Sequence, residues 1–557
     1  MAGLVVGIVA LPLAIAFAIA ASPGGDAEHT IGPGIGIITA IVAGLIISLL
    51  GGSRIQIGGP TGAFIVIIYG IVAKFGLSGL LVATILAGVM LVLMGVFRLG
   101  SVIKFIPYPI VVGFTSGIAL TIFTTQVKDL LGLTLEGGAP AAFIDKWICY
   151  FRNITTLQWD AVAVSAVSIA IIVACTRWMK RLPGSLIAII VTTATVYFTN
   201  QSGLTHVATI GDRFGNITAS LPHINAFHLD WKSLFTDAQG HFTFNTLSAL
   251  LPSAFVIAIL GAIESLLSAT VADGVTGDHH DSNQELIGQG IANIVAPFFG
   301  GIPATGAIAR TMTNINNGAR TCIAGVVHAL VLLIIFIVAM PLAAYIPMPT
   351  LAGVLVVVSY NMSQWRTFAQ LTHRPKSDVV VLLVTFVLTV VFDLTIAIEL
   401  GLVLACLLFM RRMAEVTQLS IFTKEIDPNA DPVADIPLHE EALVIPDGVE
   451  VYEINGPFFF GVANRFEEMT AEMQDHPAIR IIRMRRVPFI DSTGVHNLEN
   501  LCLMSQRDGT QIILSGVQPK VRAVLERAGF PALIGEDNIC SHITLALERA
   551  AVLRHKS

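Results

Sequence analysis

Charge is what this chain has least of. Asp, Glu, Lys and Arg make up 13% of its 557 residues, about half the roughly 25% usual in soluble domains, and mean hydropathy is +0.77. Such a chain is a membrane protein, and a disordered tail is excluded. Cysteine is nearly as sparse. The six, Cys149, Cys175, Cys322, Cys406, Cys502 and Cys540, form no CxxC pair, so neither a zinc site nor a disulfide framework is expected. With a net charge of -6 and no basic patch, nucleic acid is not an expected partner. No nucleophile–base pair or metal constellation survives inspection, so an enzyme is not expected. The group His279, His280 and Asp281 lacks metal-ligand spacing and reads as a solvated turn.

The scarcity is uneven. Residues 413–557 hold 34 of the 70 charged residues and the first 412 hold 36, about 23% against about 9%. The expected organisation is an intramembrane body over 1–412, a linker rich in Pro, Asp and Glu over 413–446, and a soluble domain over 447–557. A bilayer core of about 30 Å takes roughly 20 apolar residues per helix. Apolar runs at 4–21, 35–50, 61–74, 78–97, 106–124, 159–176, 184–199, 249–270, 287–300, 307–317, 321–342, 349–362, 378–393 and 395–411 predict about fourteen membrane segments, some too short to cross alone. The first lacks the cationic flank of a signal peptide. Because the chain begins almost inside that span, a short cytoplasmic leader before residue 1 is expected.

Lys and Arg collect in alternate loops: Arg54; Arg98 and Lys104; Arg177, Lys180 and Arg181; Arg320; Arg366, Arg374 and Lys376; Arg411 and Arg412. By the positive-inside rule both termini are then cytoplasmic. The segments 125–158 and 200–248 are mixed in charge, as extracytoplasmic loops are.

Punctuation repeats across the two halves. Pro12 is followed by GGPTG around Pro60, and Pro252 by GGIPATG around Pro303, at intervals of 48 and 51 residues. Seven spans separate the equivalent positions, so the second copy enters from the opposite face, the inverted-repeat plan of many secondary transporters. Gly and Pro should break the helix at both motifs, and irregular backbone at that depth needs a cavity or protein partners. Each new helix start presents unpaired N–H groups and the positive end of a macrodipole, so two facing starts can enclose an anion. Thr61 and Thr305 add hydroxyl donors. Arg310 either adds positive potential to the pocket or pairs with a carboxylate. Glu264, in an apolar eighth span, is costly to ionise, which suits a proton-coupling role; the other reading pairs it structurally with Arg310. Ser265 and Ser268 flank it, Ser268 on its own helical face. Glu285, Gln289 and Asn293 form a polar stripe that reads as interhelical glue rather than pathway.

The run GGSRIQIGGPTGA, with ESLLSATVADGVTGDHHDSNQELIGQGIANIVAPFFGGIPATGAIARTMTNINNGART, closely resembles bacterial members of the SulP anion transporters, the sulfate permease or solute carrier 26 family, over essentially the whole chain. The resemblance implies fourteen membrane segments in two inverted sevens, folded into core and gate domains that move as an elevator, and a homodimer in a bacterial inner membrane. It implies a substrate-binding site at Phe17, Thr61, Gly62, Ala63, Thr305, Gly306, Ala309 and Arg310, with Glu264 and Ser268 for proton coupling. No cofactor is implied beyond a co-transported proton, which Glu264 favours over sodium. Sulfate, bicarbonate and a C4-dicarboxylate all fit dipolar capture. A passive anion channel or exchanger, or an anion sensor signalling through its soluble domain to a cytoplasmic partner, is the competing class.

In the tail, VEVYEI, IRIIRMRR and QIILSGV read as strands and NRFEEMTAEMQ and VRAVLERAG as amphipathic helices, an α/β arrangement. It resembles the STAS domain (sulfate transporter and anti-sigma factor antagonist). In the matching motif Phe489-Ile490-Asp491-Ser492-Thr493-Gly494, Ser492 is either a regulatory phosphorylation site or, with Asp491, a plain helix cap.

Overall fold

The computed structural model describes residues 1–23, 30–103, 107–135, 140, 142–178, 183–215, 224, 245–392, 394–426, 443–460 and 477–554. Lys104, Lys180, Arg181, the middle of the expected linker (427–442) and the expected helix at 464–474 lie outside them. The chain divides into two compact units, Met1–Ala405 and Cys406–Ser557.

The first unit is helical, and each expected span falls on a helix. In chain order these are α1 (Ala2–Ala20), α2 (Pro33–Leu50), α3 (Ile65–Val96), α4 (Tyr108–Leu131), α5 (Phe143–Arg152), α6 (Trp159–Trp178), α7 (Gly184–Gln201), α8 (Asn245–Thr276), α9 (Ser282–Val295), α10 (Ile308–Asn316), α11 (Ile323–Ala343), α12 (Met348–Met362), α13 (Lys376–Val391) and α14 (Leu394–Val416). Among them α5 is not a span but a short amphipathic helix in the 125–158 segment. Spans three and four are joined in α3, where Gly76 at φ 66° breaks the helical path. Among the described residues, seven helices are by themselves long and apolar enough to cross a membrane; the others are too short or less apolar.

Packing sorts the helices into two groups. α1, α2, α3, α8, α9, α10 and α11 pack on one another, and α4, α6, α7, α12 and α13 do likewise, with α1 also lying along α12 and α7. Each set draws from both halves of the sequence, as an inverted repeat requires. Small residues bring the backbones together, as they do in lipid where apolar burial gives little drive. At the α3–α9 crossing a Cβ on Gly88 would stand 2.7 Å from the Gly290 carbonyl oxygen, and one on Gly290 2.6 Å from that of Gly88.

The second unit is a five-stranded sheet in the order β3 (Gln418–Phe422), β4 (Val449–Asn455), β5 (Ile479–Arg486), β6 (Gln511–Ser515), β7 (Ile539–Cys540). Among the described residues of this sheet, only the β3–β4 pair is antiparallel. Successive side chains alternate between faces: Ile482 and Leu514 pack with Leu498 and Leu501 of α15 (Ser492–Arg507) and Val521 and Leu525 of α16 (Pro519–Arg527), while Ile481 and Ile513 pack with Ile543 and Leu547 of α17 (Ile543–Arg554). β6 reads as a nearly continuous apolar run because both faces are covered, whereas β4 and β5 bury Glu453 and Arg483, which pair at 3.5 Å. The stretch expected as linker is structured at its start: α14 runs to Val416 and β3 supplies the edge strand.

Candidate anion-binding site

The two Gly-Pro breaks meet. β1 (Gly58–Gly59) and β2 (Thr305–Gly306) pair antiparallel, Gly58 opposite Gly306 and Gly59 opposite Thr305, and the Ala307 amide donates to the Ile57 carbonyl at 2.9 Å. A helix begins directly after each strand: a 3-10 turn at Gly62–Phe64 leads into α3, and α10 begins at Ile308. The opening amides of such helices have no intrahelical acceptor, and both positive dipole ends arise beside one short ribbon. Phe17 closes the Gly62 side, since a Cβ on Gly62 would lie 3.5 Å from Phe17 Cε1. Phe17, Thr61, Gly62, Ala63, Thr305, Gly306 and Arg310 are buried, and Ala309 is exposed. One turn of α8 contributes Glu264, half-buried, which accepts a 2.8 Å hydrogen bond from the Thr61 hydroxyl.

Side chains satisfy the broken backbone. Asn293 on α9 donates to the Ala304 carbonyl at 2.8 Å and accepts from the Ala304 amide at 2.9 Å. The Ile302 amide donates to Thr39 at 2.9 Å. On the other break, Asn314 donates to Ile55 at 2.9 Å and Thr311 accepts from the Ile57 amide at 3.1 Å. The Arg310 guanidinium donates to the Pro60 carbonyl at 3.0 Å. Gly59 leaves room for it: φ there is 153°, and a Cβ would collide with the guanidinium. Thr39, Thr311 and Asn314 were not among the expected site residues. Thr311 and Asn314 sit three apart on the short helix carrying Arg310, a polar face whose only reason at that depth is a partner across the break.

Other expected residues are placed differently from the reading of the sequence. Neither threonine hydroxyl points a free hydrogen at the pocket: Thr61 donates to Glu264, and Thr305 donates to the Gly261 carbonyl at 2.8 Å. Buried hydroxyls take the nearest acceptor, so the two threonine side chains are not the donors left for an anion. Arg310 and Glu264 form no ion pair among the described residues. One terminal nitrogen of Arg310 holds Pro60 and the other has no hydrogen-bond partner. Ser268 donates to Thr311 at 3.3 Å and makes no bond to Glu264 among the described residues. Ser265 donates to Glu285 at 2.8 Å, and Glu285 also accepts from Gln289 at 3.0 Å and from the Ser53 amide at 3.1 Å. The stripe on α9 is thus internal mortar. His280 contacts Asp273 and Ser282, and Asp281 caps α9. In the second unit Asp491 alone caps α15, accepting from the Gly494 amide at 2.8 Å, while Ser492 is exposed.

Known proteins agree with this architecture. The model of the sulfate permease family matches residues 1–385 and that of the STAS domain residues 442–548. The protein YvdB of Bacillus subtilis (strain 168) is 38% identical over 551 residues, 97% of this chain and 95% of that protein. The bicarbonate transporter BicA of a Picosynechococcus species is 29% identical over 540 residues, 94% of this chain and 89% of that one. The fold is similar to the solved structure of the murine solute carrier 26 family member A9 anion transporter in the inward-facing state, with a TM-score of 0.83 at 19% identity, covering 99% of this chain and 90% of that chain.

Proposed function

The chain belongs to the sulfate permease family of anion transporters, and on that footing we propose that it imports a small anion by proton-coupled, secondary-active symport. It is a multi-pass membrane protein and a transporter rather than an enzyme. The observation that carries the mechanism is the β1–β2 pairing, which joins two helix beginnings from opposite halves of the chain. An anion docked there accepts hydrogen bonds from the opening amides at Gly62, Ala63, Ile308 and Ala309, with the Phe17 ring as its apolar wall. Amide dipoles recognise charge more than shape, so sulfate, bicarbonate and a C4-dicarboxylate are the substrate candidates.

Glu264 supplies the coupling. It is tied to Thr61 at the lip of one helix start, so an ionised carboxylate and a bound anion share one pocket. Two unit charges about 6 Å apart repel by about 3 kcal/mol at an effective dielectric of 20. A proton on Glu264 removes that repulsion, so proton and anion each favour the other's binding. The helix group carrying both breaks then moves as an elevator against the group of α4, α6, α7, α12 and α13, with α1 sliding along α7 and α12. We place both termini in the cytoplasm of a bacterial cell with the protein in its inner membrane as a homodimer.

The test is uptake of radiolabelled sulfate, bicarbonate and fumarate into liposomes holding the purified protein, with and without an imposed pH gradient. Accumulation of one of them that follows the gradient is expected. Flux that ignores the gradient, with single-channel currents, would replace this reading with a passive channel.

A further inference from the structure

A second polar cavity, unused by the mechanism above, lies at the opposite end of α1 from the N-terminus. It measures about 70 Å³ and lies between α1, Tyr69 of α3, the end of α4, and α5. Since about 10–15 Å³ holds one water, a small oxyanion fits. Among the described residues its walls carry Lys146, Lys128 and Arg213 and one carboxylate, Asp129. Asp129 is engaged by Arg213 at 3.4 Å. Lys146 stands apart: it is 4% exposed, and its ammonium lies 4.6 Å from the centroid of the Tyr69 ring. Among the described residues its ammonium has no hydrogen-bond or ion-pair partner. A buried ammonium without a counter-charge is costly, and a ring face offsets only part of that. An anion in the cavity would complete the site.

The cavity is stacked on the central pocket. Tyr69 stands seven residues along from Gly62, roughly 10 Å at helical rise, and Ala16 and Ala20, which flank Phe17 on α1, line the cavity floor. We propose that this cavity is an outer anion site in which Lys146 holds a small oxyanion before it passes Phe17 to the paired helix starts. The inference rests on the transport reading for its direction, though not for the binding itself.

Burial lowers the Lys146 ammonium to about 8. It is therefore mostly charged at pH 7 and loses its charge as the outside pH rises through about 8, so anion capture should weaken over that interval. Among the described residues, the other titratable or charged groups facing it are Tyr69 on α3, Lys128 and Asp129 on α4, Arg213 on the short helix Ile210–Phe214, and Tyr150 on α5, whose phenol is pushed up by burial.

The test uses the full-length protein in liposomes, with sulfate and then bicarbonate as probes, comparing wild type, Lys146→Gln and Lys146→Arg. Losing one charge-assisted hydrogen bond, Lys146→Gln should raise the external KM roughly tenfold, leave Vmax within about twofold, and abolish the decline in affinity between pH 7 and 9. Lys146→Arg should keep the wild-type KM at pH 7 and show no decline by pH 9. An unchanged KM in Lys146→Gln, or a wild-type decline retained in Lys146→Arg, overturns the proposal, and the Arg variant decides alone if the Gln variant does not fold. If wild type carries neither anion, thermal stabilisation by sulfate decides this proposal separately from the transport reading. Stabilisation reduced in Lys146→Gln supports the site, whereas stabilisation equal in both proteins or absent from both refutes it.

Discussion

Asn293→Ala is the sharpest probe of how the break before α10 is held. Asn293 is 1% exposed, and its amide makes both hydrogen bonds of the Ala304 peptide groups, at 2.8 and 2.9 Å. Alanine removes both and leaves a buried N–H and a buried C=O in apolar surroundings. Each orphaned group costs about 1–3 kcal/mol, so the fold should lose about 2–6 kcal/mol, a large fraction of the roughly 5–15 kcal/mol that separates folded from unfolded proteins. Asn317 is the control. It is exposed and donates to the Thr313 carbonyl at 2.8 Å, and Asn317→Ala should change stability by about 0.5 kcal/mol or less. Graded heating of detergent-solubilised protein, followed by size exclusion, reads the difference. Asn293→Ala should lose its monodisperse peak well below the wild-type temperature while Asn317→Ala overlays wild type. An Asn293→Ala protein that melts with wild type would mean that the break is not held by these bonds.

Glu264→Gln keeps an acceptor for the Thr61 hydroxyl, now 2.8 Å from the carboxylate, so it should fold. With voltage clamped and one proton per anion, a gradient of one pH unit should drive about tenfold accumulation in wild type and none in the variant, with downhill exchange retained; accumulation equal to wild type in a liposome assay would refute the coupling role. Gly290→Ala forces a methyl group against the Gly88 carbonyl and should cost about 1–3 kcal/mol, read as a lower melting temperature. Gly274→Ala meets nothing within 4 Å and should not lower it. Asp491→Ala removes the cap of α15 and should cost about 1 kcal/mol, seen as faster amide exchange in the first turn of that helix in the intact protein. Ser492→Ala should leave that exchange unchanged.

Span positions, the two breaks and their equivalence were legible because Gly and Pro act locally: they interrupt a helix wherever they stand, and the lipid demands long apolar runs around them. The α/β order of the tail was legible for the same reason, its strand and helix periods being local. What each polar group touches was not. Thr61 and Thr305 advertise hydroxyl donors in the sequence, yet their hydrogens go to Glu264 and Gly261, partners some 200 and 44 residues away, a choice that only the assembled helices decide. Asp491 and Ser492 are adjacent and both able to cap; helix phase selected Asp491. The edge strand β3, QLSIF, was hidden because it is five residues long and stands in a segment read by its composition as a whole. Lys146 carried no motif at all. Its isolation becomes visible only once α1, α3, α4 and α5 enclose it.

The most direct measurement is a high-resolution map of the full-length protein in lipid nanodiscs with selenate, a heavier stand-in for sulfate. The account predicts density for the anion between the Gly62–Ala63 and Ile308–Ala309 amides, beside the Phe17 ring, with the Gly58–Gly306 pairing intact. An unbroken helix through either Gly-Pro motif, or anion density confined to positions away from both helix starts, would contradict it.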